Sequence, residues 1–361
     1  MIVIDKAKHL MTLAKAFWSY KRRKSICSYL PLRLWIEPTN VCNLRCVMCP
    51  NSSNQDIEKG YMDMKLFRKI IDEASLFAYD VNLSHRGESL LHPQFIEMVE
   101  YAKSKGLYSR LNTNATLLTE EKSYQLIKSG LDFVSFSFDG FDKETYESIR
   151  KGAKFESVVS RITDFLKIKK DLKKSTPYTL LEILAFPEVS RERENGKKED
   201  FLKRFQSLPL DEVEVKPLHN WAGNLPSLKE ELIPRGVAYT PCTNIWYALV
   251  VLWNGSVSPC SQDWYDQFSL GNVKESELSK LWNGKRMVSF RRKIAMGKFK
   301  EIRICKECNL LWRKSLGGIP VLNLIPFLAE NIIGYGNLRQ KFKPFERTLL
   351  NVRVLNTRKK R

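Results

Sequence analysis

The first sustained pattern along the chain is helical. Between residues 6 and 24, Leu10, Met11, Leu13, Phe17 and Trp18 are interleaved with Lys and Arg, which predicts an amphipathic basic helix. From residue 33 a different rhythm begins. Short runs predict strands over 33–37, 80–84, 107–112, 132–138, 179–185 and 212–217. Between them, apolar positions fall three or four apart, as Leu66, Ile70, Ala74 and Phe77 do. Six strands alternating with helices imply an α/β fold with a parallel sheet and helices outside. Right-handed crossovers would curl that sheet into a full or partial (β/α)6 TIM-like barrel. The stretch PEVSRERENGKKED at 187–200 is charged and lacks apolar periodicity, so it reads as an exposed loop before the last helix. From about residue 236 the pattern shortens, with turn signals at WNGS (253–256), Gly271-Asn272 and WNG (282–284). This predicts a small α+β domain ending near 312. The resulting division is 1–32, 33–235, 236–312 and 313–361.

Composition changes this picture in one respect. The 361 residues are 43% hydrophobic and 28% charged, as in an ordinary globular protein. No run of ~18 uncharged apolar residues exists, so a membrane span is not expected. Lys8 and Lys15 interrupt the first apolar stretch, so it does not read as a signal peptide. The net charge is +20, of which residues 1–33 hold +7 and residues 313–361 hold +9. The basic character therefore belongs to the two extensions. The C-terminal one contains LGGIPVLNLIPFLAENIIG and ends in RKKR. Apolar segments flanked by basic residues suit an anionic membrane surface, or both extensions pack on the body with their charges solvated. No nucleic-acid-binding pattern accompanies the charge.

The chemistry is carried by cysteine. Eight are present, and without an export signal clustered cysteines hold metal or react more often than they form disulfides. The first strand runs into TNVCNLRCVMCP, where Cys42, Cys46 and Cys49 are spaced C-x3-C-x2-C. Three thiolates can ligate three corners of a cubic 4Fe-4S cluster and leave the fourth iron open, whereas electron-transfer clusters take four cysteines. A zinc knuckle would need a fourth ligand, which this loop lacks. Further along, Cys242, Cys260, Cys305 and Cys308 supply four thiolates. They suffice for one complete cluster or for a structural zinc. Cys27 joins neither group.

The C-x3-C-x2-C loop resembles the hallmark of the radical S-adenosylmethionine (SAM) superfamily, and the resemblance covers about 33–310. It implies that SAM chelates the open iron and is split by one electron into methionine and a 5′-deoxyadenosyl radical, which takes a hydrogen atom from the substrate. The electron would come from a flavodoxin- or ferredoxin-type donor in the cytoplasm. Arg86-Gly87-Glu88 is similar to the motif that meets the SAM amino group, although Arg86 and Ser89 depart from it. Asn112-Thr113-Asn114 resembles a ribose-contacting turn in which Ala115 replaces a Gly. The run Ser135–Gly140 resembles a family signature that places Ser137 near the SAM carboxylate and Asp139 in the cofactor site, and Arg150 would pair with that carboxylate. The resemblance thus implies cofactor contacts at Gly87, Glu88, Asn112, Asn114, Ser137, Asp139 and Arg150. The region 236–312 is similar to a SPASM/Twitch domain, but with four cysteines instead of about seven it implies a single auxiliary cluster. An auxiliary cluster can accept an electron. The first expectation is therefore dehydrogenation of a sugar or cyclitol alcohol, free or lipid-linked, with peptide maturation or sugar epimerisation as alternatives. No catalytic base is legible. Lys216, His219 and Trp221 lie where they could face the substrate.

Overall fold

The computed structural model describes residues 6–52, 57–194, 196–225, 237–313, 315–316 and 319–320. The chain forms two compact units, Met1–Arg313 and Lys314–Arg361. In the second, β10 (Ser315–Leu316) pairs antiparallel with β11 (Ile319–Pro320). The apolar and basic C-terminal segment noted above continues beyond the described residues.

In the first unit, β1 (Arg33–Ile36), β2 (Asp80–Asn82), β3 (Tyr108–Thr113), β4 (Phe133–Ser137), β5 (Tyr178–Leu184) and β6 (Glu212–Lys216) lie side by side in parallel. Helices α2 (Met64–Ala74), α3 (Phe95–Ser104), α4 (Glu120–Lys128), α5 (Lys143–Ile149) and α6 (Phe155–Asp171) occupy the crossovers. Each strand is short, so its register is set by which face it buries. One face of the sheet is apolar, with Val81, Leu111, Val134, Phe136, Leu181 and Ile183 fully buried. Helix α2 turns Leu66, Phe67, Ile70, Ile71 and Ala74 inward, and Asp63 caps it by accepting from the backbone N–H groups of Lys65 and Leu66.

The other face is polar. Across the paired strands it carries Asp80, Asn82, Arg110, Asn112, Ser135, Glu182, Glu214 and Lys216. Near the strand starts, Arg33 pairs with Asp80 at 2.5 Å and Arg110 approaches the same carboxylate at 3.6 Å. A barrel filled with bulky apolar side chains is a packed core. Here that face carries charged and amide side chains instead.

Two features differ from the sequence reading. The stretch read as an exposed loop is helical over most of its length, as α7 (Pro187–Glu194) and α8 (Lys197–Lys203). Val189 and Phe201 are buried, and the Glu192 carboxylate accepts from the Phe141 N–H at 2.7 Å. Docking of one apolar side chain per short helix replaces the periodicity that a free helix would need. The short strands after 236 also extend the main sheet. β7 (Ala248–Val251) pairs parallel with β1, and β8 (Ser256–Ser258) and β9 (Gly271–Asn272) follow antiparallel. The strand order is β6-β5-β4-β3-β2-β1-β7-β8-β9, with β6 and β9 at its edges. Helices α9 (Leu278–Trp282) and α10 (Lys285–Ala295) complete this region.

The basic N-terminal segment folds as α1 (Lys6–Lys21) and docks on the body. Leu13, Ala16 and Tyr20 are buried, and the Tyr20 hydroxyl donates to the Pro241 carbonyl at 3.0 Å. The Trp246 indole donates to the Lys24 carbonyl at 2.8 Å. Among the described residues no helix is long and apolar enough to cross a membrane.

Candidate active site and cluster sites

The three-cysteine loop leaves the C-terminal end of β1 and is pinned from three sides. The Arg45 and Val47 N–H groups donate to the carbonyls of Lys151 and Ile149, at 2.9 and 3.0 Å. The Trp221 indole donates to the Met48 carbonyl at 3.0 Å. Within the loop, the Cys49 N–H closes a turn onto the Cys46 carbonyl at 3.1 Å. Gly87 admits the loop to the end of β2. A Cβ there would lie 2.4 Å from the Thr39 carbonyl oxygen and 2.5 Å from that of Val41. Its missing side chain thus serves the close approach of two backbone segments.

All three thiols are free. Burial pushes Cys42 up to about 11 and Cys49 up to about 12, and also raises Cys46. The charges of Cys46 and Cys42 raise Cys49 further, so the three are electrostatic neighbours. Opposing this, backbone N–H groups of Leu44 and Asn51 support the thiolates of Cys42 and Cys49. Close, buried thiols with N–H donors fit an iron-sulfur cluster, whose iron supplies the positive charge that holds them deprotonated.

The other four cysteines come together from three segments. Cys242 precedes β7, Cys260 follows β8, and Cys305 and Cys308 follow α10. Burial drives Cys305 well above the ordinary thiol range, and the charges of Cys308, Cys260 and Cys242 raise it further. Cys308 is pushed up to about 12 by burial, with N–H support from Leu310 and Leu311. The Gln262 N–H donates to the Cys260 sulfur at 3.4 Å. Among the described residues, no three His, Cys, Asp or Glu side chains converge on one metal-ion position. A cubic cluster takes each thiolate on a separate iron, so its ligands need not converge on a point. Cys27 is buried elsewhere, its N–H on the Asn283 side chain.

The polar groups singled out in the sequence lie around the same strand ends, but several are partnered within the protein. Glu88 is 2% exposed and accepts from the Thr113 hydroxyl and the Asn114 N–H, both at 2.8 Å. It ties the end of β2 to the end of β3. Asn112 accepts from Asn82 at 3.3 Å, and Asn114 donates to the Asn43 side chain of the cysteine loop at 3.0 Å. Ala115 adopts the left-handed conformation, with φ of 61°, where a glycine would be unstrained. Ser137 ends β4 half-buried, in register with Glu182. Asp139 and Arg150, both expected among the cofactor contacts, pair with each other at 2.7 Å. Two buried opposite charges pair because either alone would be costly. The Asp139 carboxylate also accepts from the Leu184 N–H at 2.7 Å. The Arg150 Nε is buried without a hydrogen-bond partner, which leaves one donor for an anion.

The structure adds partners that the sequence reading missed. Arg86 makes a bidentate pair with Glu37 at 2.6 and 2.8 Å and donates to the Trp264 carbonyl at 2.8 Å. Burial opposes the Glu37 charge, but Arg86 overcomes it and holds the carboxyl below its ordinary range. The departure of Arg86 from the family pattern was visible; its partner, 49 residues away, was not. Lys216 pairs with Glu182 and approaches Glu214 at 3.5 Å. Burial opposes the Lys216 charge, which those carboxylates more than restore. Yet 39% of its side-chain surface remains open. His219 is pressed down to about 4 by burial and stands 4.5 Å, ring to ring, from Trp221. Trp221 meets Trp264 edge-on at 4.8 Å, and Trp264 stands 6.2 Å from His85.

Residues 36–195 match the family model described as the radical SAM superfamily, and residues 242–309 match that of an iron-sulfur cluster-binding domain, SPASM. Residues 36–195 form a radical SAM domain. This radical SAM protein is 42% identical over 108 residues to the tungsten-containing aldehyde ferredoxin oxidoreductase cofactor-modifying protein of Pyrococcus furiosus, covering 29% of this chain and 30% of the relative. It is 32% identical over 115 residues to the PqqA peptide cyclase of Bradyrhizobium diazoefficiens, 32% of this chain and 30% of that one. The matches span about a third of the length of such curated relatives. The crystal structure of BtrN in complex with AdoMet and 2-DOIA shares the fold, with a TM-score of 0.52 at 22% identity over 78% of this chain and 93% of BtrN. The two matched domains imply SAM and 4Fe-4S clusters as cofactors.

Proposed function

We propose that this radical SAM enzyme oxidises an alcohol of a small polar substrate, of the sugar or cyclitol class, beside the cysteine loop. The observation that carries the reading is the charged wall of Glu182, Glu214 and Lys216 at the ends of β5 and β6. It suits a substrate bristling with hydroxyl or amino groups and would repel an apolar one. In this reading Cys42, Cys46 and Cys49 hold the cluster that binds SAM. Gly87, Glu88, Asn112, Asn114, Ser137, Asp139 and Arg150 surround the SAM molecule. Asp139 orients Arg150, and the free Nε of Arg150 meets the SAM carboxylate. Cys242, Cys260, Cys305 and Cys308 hold one auxiliary cluster. The cofactors held by these residues would supply the radical chemistry that removes a carbinol hydrogen atom and the acceptor for the electron released as the hydroxyl proton leaves and the ketone forms. A flavodoxin- or ferredoxin-type donor would supply the electron that splits SAM. Such chemistry fits the cytoplasm, where thiols stay reduced, and the basic extensions suit a peripheral site on the membrane.

A second reading is modification of a peptide. The PqqA peptide cyclase among its relatives supports it. Isotope transfer separates the two. Reconstituted protein is given SAM, a reductant and either deuterated polyols and aminocyclitols or deuterated peptides. Deuterium should enter 5′-deoxyadenosine from a polyol, with a ketone formed. Transfer from peptides alone would overturn the oxidation reading.

Replacing Arg150 tests the SAM contacts separately. A lost charge-assisted hydrogen bond costs about 1.5–3 kcal/mol, so Arg150→Ala should weaken SAM binding roughly tenfold or more. Equilibrium binding to the reconstituted protein measures this. Unchanged affinity would remove Arg150 from the SAM site.

A further inference from the structure

The outward face of α1 has no role in the reaction, and it is the least ordinary surface of the described chain. Helix α1 buries Leu13, Ala16 and Tyr20 against the body. On the opposite side, at spacings of three and four, lie Met11, Ala14 and Trp18, with Leu10 beside them. Met11 is 59% exposed, Trp18 53% and Leu10 45%, and Ile26 just beyond is 63% exposed. Lys8 and Lys15 flank this stripe on one edge and Lys21 on the other, all exposed, with Arg22 and Lys24 following. The Arg22 guanidinium lies 5.3 Å from the centre of the Trp18 ring. Residues 6–36 contain no Asp or Glu.

We infer that this face is a docking surface for an anionic phospholipid bilayer. A single surface must satisfy both halves of the stripe: an apolar layer for Met11, Trp18 and Leu10, and negative charge on either side for the lysines. A lipid interface offers both. Nucleic acid offers charge without the apolar layer, and a second copy would bring like charges together. The helix is already fixed to the body by its other face, so binding orders little new structure and costs little entropy.

The position of α1 also sets orientation. His9 stacks on Tyr79 at 4.6 Å, directly before β2, and Tyr20 meets Trp246 at 5.4 Å, two residues before β7. The helix therefore covers the strand starts, whereas the cysteine loop leaves a strand end. A protein held by α1 turns the cysteine loop away from the lipid, toward water-borne substrate. The inference does not depend on which reaction occurs there.

Full-length protein is sedimented with vesicles of phosphatidylglycerol and phosphatidylcholine, and with phosphatidylcholine alone, at low and high salt. The protein should pellet with the anionic vesicles at low salt and release at about 1 M salt, where the Debye length falls to ~3 Å. The Met11→Ser/Trp18→Ser double variant, with both changes on exposed positions, should bind roughly tenfold or more weakly at unchanged melting temperature. Wild-type protein that stays in the supernatant at low salt overturns the inference. So does a variant that binds as well as wild type, which would move the contact to the C-terminal basic segment. A dimer lost in the variant, or duplex DNA binding without vesicle binding, would assign the face to another partner and overturn it equally.

Discussion

Cys42→Ala, Cys46→Ala and Cys49→Ala should each bring reductive formation of 5′-deoxyadenosine from SAM down to background. The loop that carries these cysteines is held by backbone groups. Its bonds run from Arg45 and Val47 to Lys151 and Ile149, and from the Met48 carbonyl to the Trp221 indole. Removing one thiol leaves all of these in place, so the variants should fold and melt near wild type. What they would lose is one of the three ligands proposed for the SAM-binding cluster, which has no spare. Changing a residue that merely supports a metal ligand costs about 10–100-fold, and loss of a ligand should exceed that. Anaerobic reconstitution, followed by chromatography of 5′-deoxyadenosine, makes the measurement. Cleavage at the wild-type rate in any of the three would sink the cluster assignment.

The Cys305→Ala/Cys308→Ala variant should behave differently. Cys305 and Cys308 stand in a buried group with Cys260 and Cys242, at a place separate from the three-cysteine loop. Without two of its four ligands that group should hold no cluster. Iron should fall from about eight to about four per chain. SAM cleavage should persist, because Cys42, Cys46 and Cys49 are intact, but substrate oxidation should disappear with the electron acceptor. Sulfide and iron analysis, 5′-deoxyadenosine and product are read from the same sample. Wild-type protein with about four iron atoms would remove the auxiliary cluster, and the oxidation reading with it. Loss of SAM cleavage in the variant would contradict the independence of the two sites. Loss of product together with folded, iron-replete protein would instead point to Cys305 and Cys308 as chemical rather than ligating groups.

What the chain declares about itself by sequence alone is local. The C-x3-C-x2-C spacing lies within eight residues of a single loop, and it needs no distant partner to be recognised. The six parallel strands announce themselves because a strand buried on one face must show its apolar residues in order. The tertiary structure decided which charge meets which. Arg150 and Asp139 were both assigned to a ligand, yet they meet each other. Arg86 draws Glu37 from the end of β1 and the Trp264 carbonyl from 178 residues away. Lys216 finds Glu182 across two strands. A buried charge takes whatever opposite charge the packing brings near it, and that neighbour is set by the crossovers, not by spacing along the chain. The same holds for the helices at Pro187–Lys203, which exist because Val189 and Phe201 have a core to enter. It holds too for β7, whose pairing with β1 joins the cluster-binding region to the main sheet. Sequence therefore determined which atoms can do the chemistry, and long-range burial determined which of them are already occupied and which, like the Arg150 Nε, remain without a partner.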